Sequence, residues 1–431
     1  MGAHALSLNS NIFKILYRLT LPGGLLVVIS VTLVKIGLLA DPDSQLVRYL
    51  PLAVFAIGLG LSGFFRRSRL FFAILALALA HLMVTWVAPT FSEAAARVLV
   101  NASAVLLPIN LLVLAFVRER GIVSPAGRKR LAGGAIQIIA LGVLCLPLTV
   151  HAAELLVRPF VPEVFSAWSR LSQAALLAFL VCAVVMTVLL VRRYRAVESS
   201  LFWALISSFV AFRMGAGHSL AGVFFATGGL AMIVAVIETS YSMAYLDELT
   251  QLPSRRALNE ALLKLPETFT IAMLDVDHFK KFNDTYGHES GDQALRMVAS
   301  RLARIAGGGK AYRYGGEEFA VLFPGRPADE VFVYLDRMRK IIEQSTFVVR
   351  GRDRRRGGRS LRRGGKKETS VTVSVGVASS SEDYPAPAEV LRIADQALYK
   401  AKARGRNCTV TAKSGKNIRP VETGMRILSM S

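Results

Sequence analysis

Long apolar runs fill the first 240 residues of the chain and then stop. A membrane-spanning helix needs about 20 mostly apolar residues, and by that measure the runs predict about eight spans. They lie at approximately 21–40, 46–65, 69–91, 95–117, 131–150, 171–191, 200–214 and 218–238. The later residues mix polar and apolar positions as a globular domain does. The pattern therefore predicts a multi-pass helical membrane half followed by a separately folded half.

The segments between these runs alternate in charge. One set is basic and contains Lys14, Arg18, Arg66, Arg67, Arg69, Arg118, Arg120, Arg128, Lys129, Arg130, Arg192, Arg193 and Arg195. The other set is acidic or mixed and includes Asp41, Asp43 and Glu93. Because basic loops stay on the cytoplasmic side, we expect the N-terminus and everything after Glu238 to be cytoplasmic.

Few polar side chains fall at membrane depth: His81, Asn101, Asn110 and Gln137. A lone histidine such as His81 is compatible with a haem ligand or a sensor group, but a hydrogen bond between helices is commoner and is what we expect. The segment 151–170 is the one external loop large enough to shape a ligand site. The last apolar run continues from Glu238 to Asp247 without Gly or Pro, which predicts an uninterrupted helix into the second half.

Composition and charge restrict the possible partners and protein classes but do not identify a function. The net charge of +22 reflects the basic loops and one dense basic stretch near the C-terminus, so it does not require nucleic acid as a partner. The three cysteines, Cys145, Cys182 and Cys408, have no metal-ligand spacing and predict no disulfide framework.

The first candidate chemical motif is an apolar strand, Thr270 to Leu274, that ends in two carboxylates, Asp275 and Asp277. We expect these to project to different faces of the strand and hence to play unequal roles. A carboxylate at a strand end suits Mg²⁺, and the following helix N-terminus with Lys280 favours a phosphate chain. An aspartate that only caps the next helix would look similar.

The second motif places Gly315-Gly316 between two strand-like runs and predicts a tight hairpin. Glu317 and Glu318 follow the turn directly, although adjacent carboxylates repel and strands disfavour Glu. A divalent cation shared with Asp275 would explain them, and the glycines would let a bulky ligand lie against the turn. The alternative is a solvated hairpin tip.

The third motif is an amphipathic helix over residues 390–404 that Gly405 ends. Lys402 and Arg406 make its end basic, which suits a triphosphate. A helix with a favourable basic C-terminus would give the same pattern without any ligand.

Taken in order, these segments resemble the GGDEF family of diguanylate cyclases, with the family's motif present as Gly-Gly-Glu-Glu-Phe at 315–319. The resemblance begins at Asp247-Glu-Leu-Thr and extends through Asn407, about 165 residues. It implies an α/β (α+β) domain with an antiparallel-centred sheet flanked by helices, like the palm of nucleotidyl cyclases. It also implies the joining of two GTP molecules into cyclic di-GMP with release of two pyrophosphates.

The resemblance implies roles residue by residue. Asp275, the Val276 carbonyl, Glu317 and Glu318 would bind two Mg²⁺ or Mn²⁺ ions per active site, and Glu317 would help deprotonate the attacking hydroxyl. Asn283 and Asp292 would bind guanine. The remaining positions would complete the catalytic and substrate-binding set: Phe279, Lys280, His288, Gly315, Gly316, Lys402 and Arg406. Because one domain holds one GTP, a homodimer through both domains is implied, in the inner membrane of a bacterium.

Two stretches depart from the family pattern. The product-inhibition motif Arg-x-x-Asp is replaced by Ala306-Gly-Gly-Gly309, so feedback through that site should be absent. An insertion at 350–367 carries ten Arg or Lys residues against Asp353 alone. We expect it to be disordered and attracted to anionic lipid headgroups rather than to nucleic acid, since no aromatic residues interleave its charges. A solvated loop is the alternative.

The sequence therefore predicts a transmembrane domain at 1–238 and a connecting signalling helix at 239–247. A catalytic domain at 248–412 and a tail at 413–431 complete the chain. Three other functions are compatible with parts of this pattern. They are a catalytically weak GGDEF receptor for nucleotides, a transporter or receptor with a regulatory soluble part, and a cyclase that makes a mononucleotide. The signal sensed by the membrane domain and its direction of action are not encoded in any recognisable motif.

Overall fold

A computed structural model gives the fold. It describes residues 20–38, 45–149, 158–162, 168–214, 219–349, 367–382 and 385–412. Most of the basic insertion (350–366), the tail (413–431) and much of the external segment 151–170 lie outside these residues. The chain divides into two compact units, Met1–Tyr241 and Ser242–Ser431.

The described part of the first unit is helical throughout. Its helices are α1 (Gly23–Lys35), α2 (Gln45–Phe64), α3 (Ser68–Leu82), α4 (Glu93–Phe116), α5 (Pro125–Leu144), α6 (Gln173–Arg193), α7 (Ala196–Met214) and α8 (Ser219–Tyr245). A π-helical turn and a short 3₁₀ turn, Met83–Val87 and Ala88–Thr90, extend α3.

Six of these helices, all except α1 and α5, are long and apolar enough to cross a membrane, which indicates a membrane protein. Helix α1 has only 13 residues, and α5 begins with the basic triplet Arg128-Lys129-Arg130. Each of the eight helices overlaps one predicted span, while the number that cross a membrane and their orientation stay predictions. Helix α8 runs unbroken to Tyr245, as its lack of Gly and Pro near the end predicted.

Polar side chains inside the helical unit are mostly paired. Asn110 and Gln137 bond each other across α4 and α5, and Asn101 Oδ1 accepts from the Ser172 amide at the start of α6. Within the described residues, His81 makes no hydrogen bond to another helix, contrary to the prediction. Its Nδ1 lies 3.2 Å from Thr85 Oγ1, one turn along, because the rings of Phe55 and Phe225 occupy its flanks.

The structure contains a buried ionic cluster near the ends of several helices. The charge pattern of the loops did not predict it. Glu198 in α7 is almost fully buried, and its Oε1 lies 3.2 Å from Arg193 and 3.5 Å from Arg69. Both arginines also donate to the carbonyl of Ala115 at the end of α4. A buried charge is tolerated when it is paired and hydrogen-bonded. Glu198 meets that condition through Oε1, while its buried Oε2 has no partner among the described residues.

The second unit is built around a mixed sheet. Its strands are β1 (Phe269–Val276), β2 (Lys310–Gly315), β3 (Glu318–Pro324), β6 (Val373–Ser379) and β7 (Thr409–Thr411), in the order β2-β3-β1-β6-β7. The first three pairings are antiparallel and β6–β7 is parallel, so the sheet has an antiparallel centre, as predicted. A separate antiparallel pair, β4 (Phe347–Val349) and β5 (Lys367–Thr369), flanks the basic insertion.

Helices cover both faces of this sheet. They are α9 (Arg255–Leu262), α10 (Phe279–Tyr286), α11 (His288–Leu302), α12 (Ala328–Glu343) and α13 (Pro387–Ala403). Side chains alternate between faces along a strand. Accordingly, Ala272 and Leu274 pack with α10, α11 and α12, whereas Ile271 and Met273 pack with α9 and α13. Strand β1, buried along its whole length, is the rigid element that holds the candidate site.

Candidate active site

The candidate site lies at the C-terminal end of β1. In the sheet register Asp275 stands opposite Glu318 of β3 on one side and Ser374 of β6 on the other. Strand β1 is central, so its last residues are fixed by neighbours on both edges. The carboxylate of Asp275 is therefore held on a buried framework, as a metal or nucleotide anchor requires.

The hairpin of β2 and β3 brings the other two carboxylates to the same place. Its register shifts between Arg313 and Gly315, and Gly315 pairs with Glu318. The amide of Val276 donates to the Glu317 carbonyl at 3.3 Å, which closes the turn against the end of β1. A Cβ atom built on Gly316 would meet nothing within 4 Å, so the turn has open space beside it for a ligand.

All three carboxylates have raised pKa values, and burial is the largest cause in each case. Burial raises the pKa of Asp275, and the Asp277 charge adds to this, although the Lys402 ammonium and Arg406 oppose it. Burial and then the Asp275 charge raise the pKa of Glu317 and of Glu318, and Asp395 raises that of Glu318 further. The site thus concentrates more negative charge than its own residues neutralise.

Lys402, from the last turn of α13, partly balances this charge. Its Nζ lies 2.8 Å from Asp275 Oδ2, and its side chain is one-third exposed. The basic end of the helix therefore faces the carboxylates. That position excludes the simpler explanation in which Lys402 only serves its own helix terminus.

The donor set suits a hard divalent cation, which prefers carboxylate and carbonyl oxygens. The site has three carboxylates with raised pKa values, and a lysine ammonium already lies against one of them. Such an arrangement attracts cations. Among the described residues, no group of three or more His, Cys, Asp or Glu side chains is already arranged around a common point as metal ligands. The carboxylates of Asp275, Glu317 and Glu318 fit a divalent cation by their chemistry.

Asp277 has a different role from Asp275, as expected, but the expected reason was wrong. Residues two apart share a face of a strand, and here β1 ends at Val276, so Asp277 lies beyond the strand. Its carboxylate accepts bonds from Thr372 Oγ1 and Ser374 Oγ, both at 2.7 Å, and from the Asn407 amide at 3.0 Å. These three donors tie β6 and the segment after α13 to the site.

A second cluster lies on α10 and α11. Asn283 Oδ1 is buried and has no hydrogen-bond partner among the described residues. A Cβ atom on Gly291 would fall 1.8 Å from that oxygen, so only glycine allows the two helices to come this close. Asp292, the next residue, is partly buried in the first turns of α11. A buried acceptor without a donor is a place where a ligand donor fits.

The other residues predicted to bind substrate, of which all but His288 were expected to contact phosphates, divide into three groups. Lys402 and Arg406 lie close enough to Asp275 to affect its pKa. Lys280 and His288 are exposed, and no bond in the described part of the chain links either to the carboxylates. The Phe279 side chain packs in the core, so only its backbone amide, at the N-terminus of α10, could contact an anion.

Sequence reasoning missed Arg313, two residues before the first glycine. Its guanidinium donates to Asp247 Oδ1 at 2.6 Å and to the Gly316 carbonyl at 2.7 Å. The pKa of Asp247 lies below its usual value because bonds from Thr250 and Arg313 outweigh the effect of burial. Arg313 therefore connects the Asp247-Glu-Leu-Thr segment to the Gly-Gly turn, a link between segments that spacing alone does not reveal.

Comparison with known proteins gives this site its context. Residues 244–408 match the family model described as "Diguanylate cyclase, GGDEF domain". The probable diguanylate cyclase DgcF of Escherichia coli strain K12 is 32% identical over 235 residues, which cover 49% of this chain and 70% of that protein. The chain belongs to the GGDEF family of diguanylate cyclases. The mixed sheet of the second unit is accordingly its GGDEF domain, and the first unit is an additional helical part.

Other relatives match a smaller share of the chain. The response regulator PleD of Caulobacter vibrioides is 34% identical over 182 residues, 40% of this chain and 37% of PleD. The diguanylate cyclase VdcA of Vibrio cholerae is 38% identical over 168 residues, 38% of this chain and 46% of VdcA. The chain thus spans less than half the length of these two relatives.

A solved structure is similar over a comparable share of the chain. It contains the coiled coil and GGDEF domain of DgcB from Caulobacter crescentus in complex with c-di-GMP. It is 34% identical, covers 41% of this chain and 90% of that one, and has a TM-score of 0.35.

Proposed function

We propose that this protein joins two GTP molecules into cyclic di-GMP with release of two pyrophosphates. The observation that carries the proposal is the convergence of Asp275, Glu317 and Glu318 beside Lys402, at the rim of an open Gly-Gly turn. A nucleotide receptor without catalysis has no need of three carboxylates with raised pKa values, because such groups cost stability, and perturbed pKa values cluster at catalytic sites.

The chain's own residues have separate tasks in this reaction. Glu317, whose pKa is raised by burial and by Asp275, accepts the proton of the attacking ribose 3′-hydroxyl. Glu318 and Asp275 supply the negative charge that holds Mg²⁺ or Mn²⁺, together with the Val276 carbonyl. The amides at the start of α10, with Lys280, Lys402, Arg406 and His288, hold the phosphates.

Divalent cations, two per site, would supply neutralisation of the triphosphate and stabilisation of the attacking and leaving oxygens. GGDEF cyclases in general depend on such metals. Here the three carboxylates support that requirement, as does the Lys402 ammonium, a cation already bound to Asp275. We propose that the metal is Mg²⁺ or Mn²⁺.

Base selectivity is assigned to Asn283 and Asp292. The unpaired, buried Oδ1 of Asn283 suits a guanine donor, and the Asp292 carboxylate suits the N1–H and N2–H groups that guanine offers and adenine does not. An unmatched base leaves these acceptors unsatisfied, which costs about 1–3 kcal/mol for each group. The site should therefore prefer GTP to ATP.

Each GGDEF domain carries one such site, so the reaction needs two domains face to face, and we propose a homodimer. The six apolar helices support a membrane location, and the basic segments support a cytoplasmic GGDEF domain in the inner membrane of a bacterium. The unbroken end of α8 supports control through a continuous connecting helix.

Product identification tests the proposal. Purified chain is incubated with GTP and Mg²⁺, and the products are identified by mass. Cyclic di-GMP from the wild type and none from Glu318→Ala is the expected result. A dimeric wild type that binds GTP yet forms no cyclic di-GMP would support the receptor function instead. A cyclic mononucleotide as product would reject both.

The basic insertion at 350–367 is proposed to contact anionic lipid headgroups, at about 1 kcal/mol for each basic residue near the surface. Deleting 350–367 should weaken binding of the purified GGDEF domain to anionic liposomes and leave its cyclase rate unchanged. Equal binding by the deleted and intact domains would reject this role.

A further inference from the structure

A groove in the helical unit lies between α3, α4 and α5. Its volume is about 480 Å³, and its walls are mostly apolar, with Phe72, Leu79, Leu107 and Leu141 among them. This volume falls within the ~300–1,000 Å³ that small-molecule sites occupy. The groove is distinct from the nucleotide site, which belongs to the other unit.

Two adjacent glycines of α5, Gly133 and Gly134, form part of the wall. Small residues in membrane helices usually let a neighbouring helix approach closely. Here a Cβ atom on either glycine would meet nothing within 4 Å. These glycines therefore keep the groove wide instead of tightening a helix contact.

The polar amides in the groove already satisfy each other. Asn110 Nδ2 donates to Gln137 Oε1 at 2.8 Å, and Gln137 Nε2 donates to Asn110 Oδ1 at 3.1 Å. Neither needs a polar ligand, so an alkyl chain can pass them without leaving these amides unpaired. Ser103 Oγ, which also lines the groove, is buried and has no partner among the described residues. Apart from this one hydroxyl, the middle of the groove is chemically suited to hydrocarbon.

One end of the groove is strongly basic. Arg130 lines it, with its guanidinium 5.6 Å from the centre of the Phe72 ring, and Arg128 and Lys129 are exposed beside it. Residues 118–130 contain five basic side chains and one acid, Glu119. Arg130 donates to Ser68 Oγ at 3.4 Å and to the Arg118 carbonyl at 3.1 Å, and Glu119 Oε1 accepts from Ser68 Oγ and the Arg69 amide. With five basic side chains against one acid, this end keeps a net positive charge that attracts an anion.

The length of the groove matches one lipid leaflet. Its wall on α5 extends from Arg130 to Leu141, a rise of about 16 Å at 1.5 Å per residue. The hydrocarbon core of a bilayer is about 30 Å thick, so half of it is about 15 Å. With α5 in the membrane, as the predicted span at 131–150 places it, a chain that enters at the basic end reaches the middle of the membrane.

We propose that this groove binds an anionic phospholipid, with an acyl chain along α5 and the phosphate at Arg130. Basic pockets between membrane helices bind anionic headgroups, and this one joins such a pocket to a hydrocarbon-lined groove of matching depth. The proposal is independent of the cyclase activity and of residues 350–367.

Native mass spectrometry of the full chain tests it, in micelles doped with equal amounts of phosphatidylglycerol and phosphatidylcholine. The wild type should retain phosphatidylglycerol preferentially. Arg130→Gln should lower that preference about fivefold, as loss of one basic contact implies. Gly134→Leu, which fills the groove, should abolish retention. Leucine favours helix over glycine by up to about 1 kcal/mol, so α5 should remain folded.

Two matched controls make the result specific. Gly142 is also on α5, exposed and with nothing within 4 Å of a built Cβ, but it does not line the groove. Gly142→Leu should bind lipid like the wild type. Arg192→Gln removes a charge at the end of α6, away from the groove, and should preserve the preference.

Three outcomes would overturn the proposal: equal retention of the two lipids by the wild type, wild-type retention by Gly134→Leu, or an equal loss of preference in Arg192→Gln. If Gly134→Leu does not give monodisperse helical protein, Gly133→Leu fills the same groove and takes its place. All variants keep 350–367 intact, so a loss confined to groove variants is not due to that segment.

Discussion

The carboxylates of the site lower the stability of the domain that contains them. A carboxyl whose pKa is raised on folding stabilises the fold when protonated, and that contribution is lost as the pH rises through the raised value. Asp275, Glu317 and Glu318 all have raised pKa values, so their ionised forms cost more free energy in the folded domain than in the unfolded chain. The carboxylates are nevertheless useful to the protein, because their ionised forms are the ones that bind cations.

Glu318→Gln should therefore stabilise the metal-free protein while it abolishes cyclic di-GMP formation. We expect the thermal midpoint of the GGDEF domain at pH 7.5 without divalent cations to rise by roughly 1–4 °C. The gain should shrink as the pH falls toward 4, where wild-type Glu318 becomes protonated. Glu267→Gln, an exposed control in the same domain, should change the midpoint little. A lower midpoint in Glu318→Gln would contradict this electrostatic account.

Arg313 is a positioning residue that supports the Gly-Gly turn. Its guanidinium donates to both Asp247 and the Gly316 carbonyl. Lysine lacks the planar guanidinium group that can donate to both acceptors at once. Loss of such a charged hydrogen bond costs about 1.5–3 kcal/mol, so Arg313→Lys should lower kcat roughly tenfold to a hundredfold.

The KM for GTP should change less in Arg313→Lys, because Arg313 does not contact the base pocket. Arg326→Lys is the matched control, since within the described part of the chain the Arg326 side chain pairs only with the exposed Glu330. An Arg313→Lys enzyme with unchanged kcat would show that the turn holds its shape without this link.

At the level of elements, the close approach of α10 and α11 sets the shape of the base pocket. Gly291→Ala should displace Asn283, because the added Cβ would lie 1.8 Å from Asn283 Oδ1. Overpacking of this kind costs about 1–3 kcal/mol, which predicts roughly a tenfold weaker affinity for GTP and a smaller preference over ATP. Equilibrium binding of both nucleotides measures this, with Ser300→Ala on the exposed face of α11 as control. An unchanged preference for GTP over ATP would show that Gly291 does not shape the base pocket.

Periodicity was sufficient to predict the elements that carry the site. The run 270–274 became β1, the Gly-Gly runs became the β2–β3 hairpin, and the amphipathic stretch 390–404 became α13. These patterns are local. The bond from Lys402 to Asp275, the three donors to Asp277 and the bridge of Arg313 each join residues more than 65 positions apart. Such contacts depend on the tertiary fold, and neither spacing nor residue type reveals them.

The helical unit was predicted less completely for a related reason. Hydropathy located the helices, but it assigned Arg69 and Arg193 to exposed loops. In the structure both reach the buried Glu198. A charge next to a helix end can face either water or a neighbouring helix, and one-dimensional hydropathy does not distinguish these cases.

At the scale of the whole molecule, regulation should lack feedback by product. The stretch Ala306 to Gly309 has no Arg or Asp, and Tyr334 and Phe323 fill the space beside it. A Cβ on Gly307 would lie 2.5 Å from the Tyr334 ring, and one on Gly309 would lie 2.6 Å from the Phe323 ring. Cyclic di-GMP added at the start of the reaction should leave the initial rate unchanged. Inhibition at concentrations well below KM for GTP would reveal a product site elsewhere.

The central claim is that two copies of the site join two GTP molecules. It is tested most directly by mixed dimers of wild type and Glu318→Ala, co-expressed in equal amounts and assayed for cyclic di-GMP. If each turnover needs one intact site from each copy of a twofold dimer, the rate per total protein should fall to about one quarter of the wild-type rate. A rate near one half, as independent single sites would give, would contradict the account.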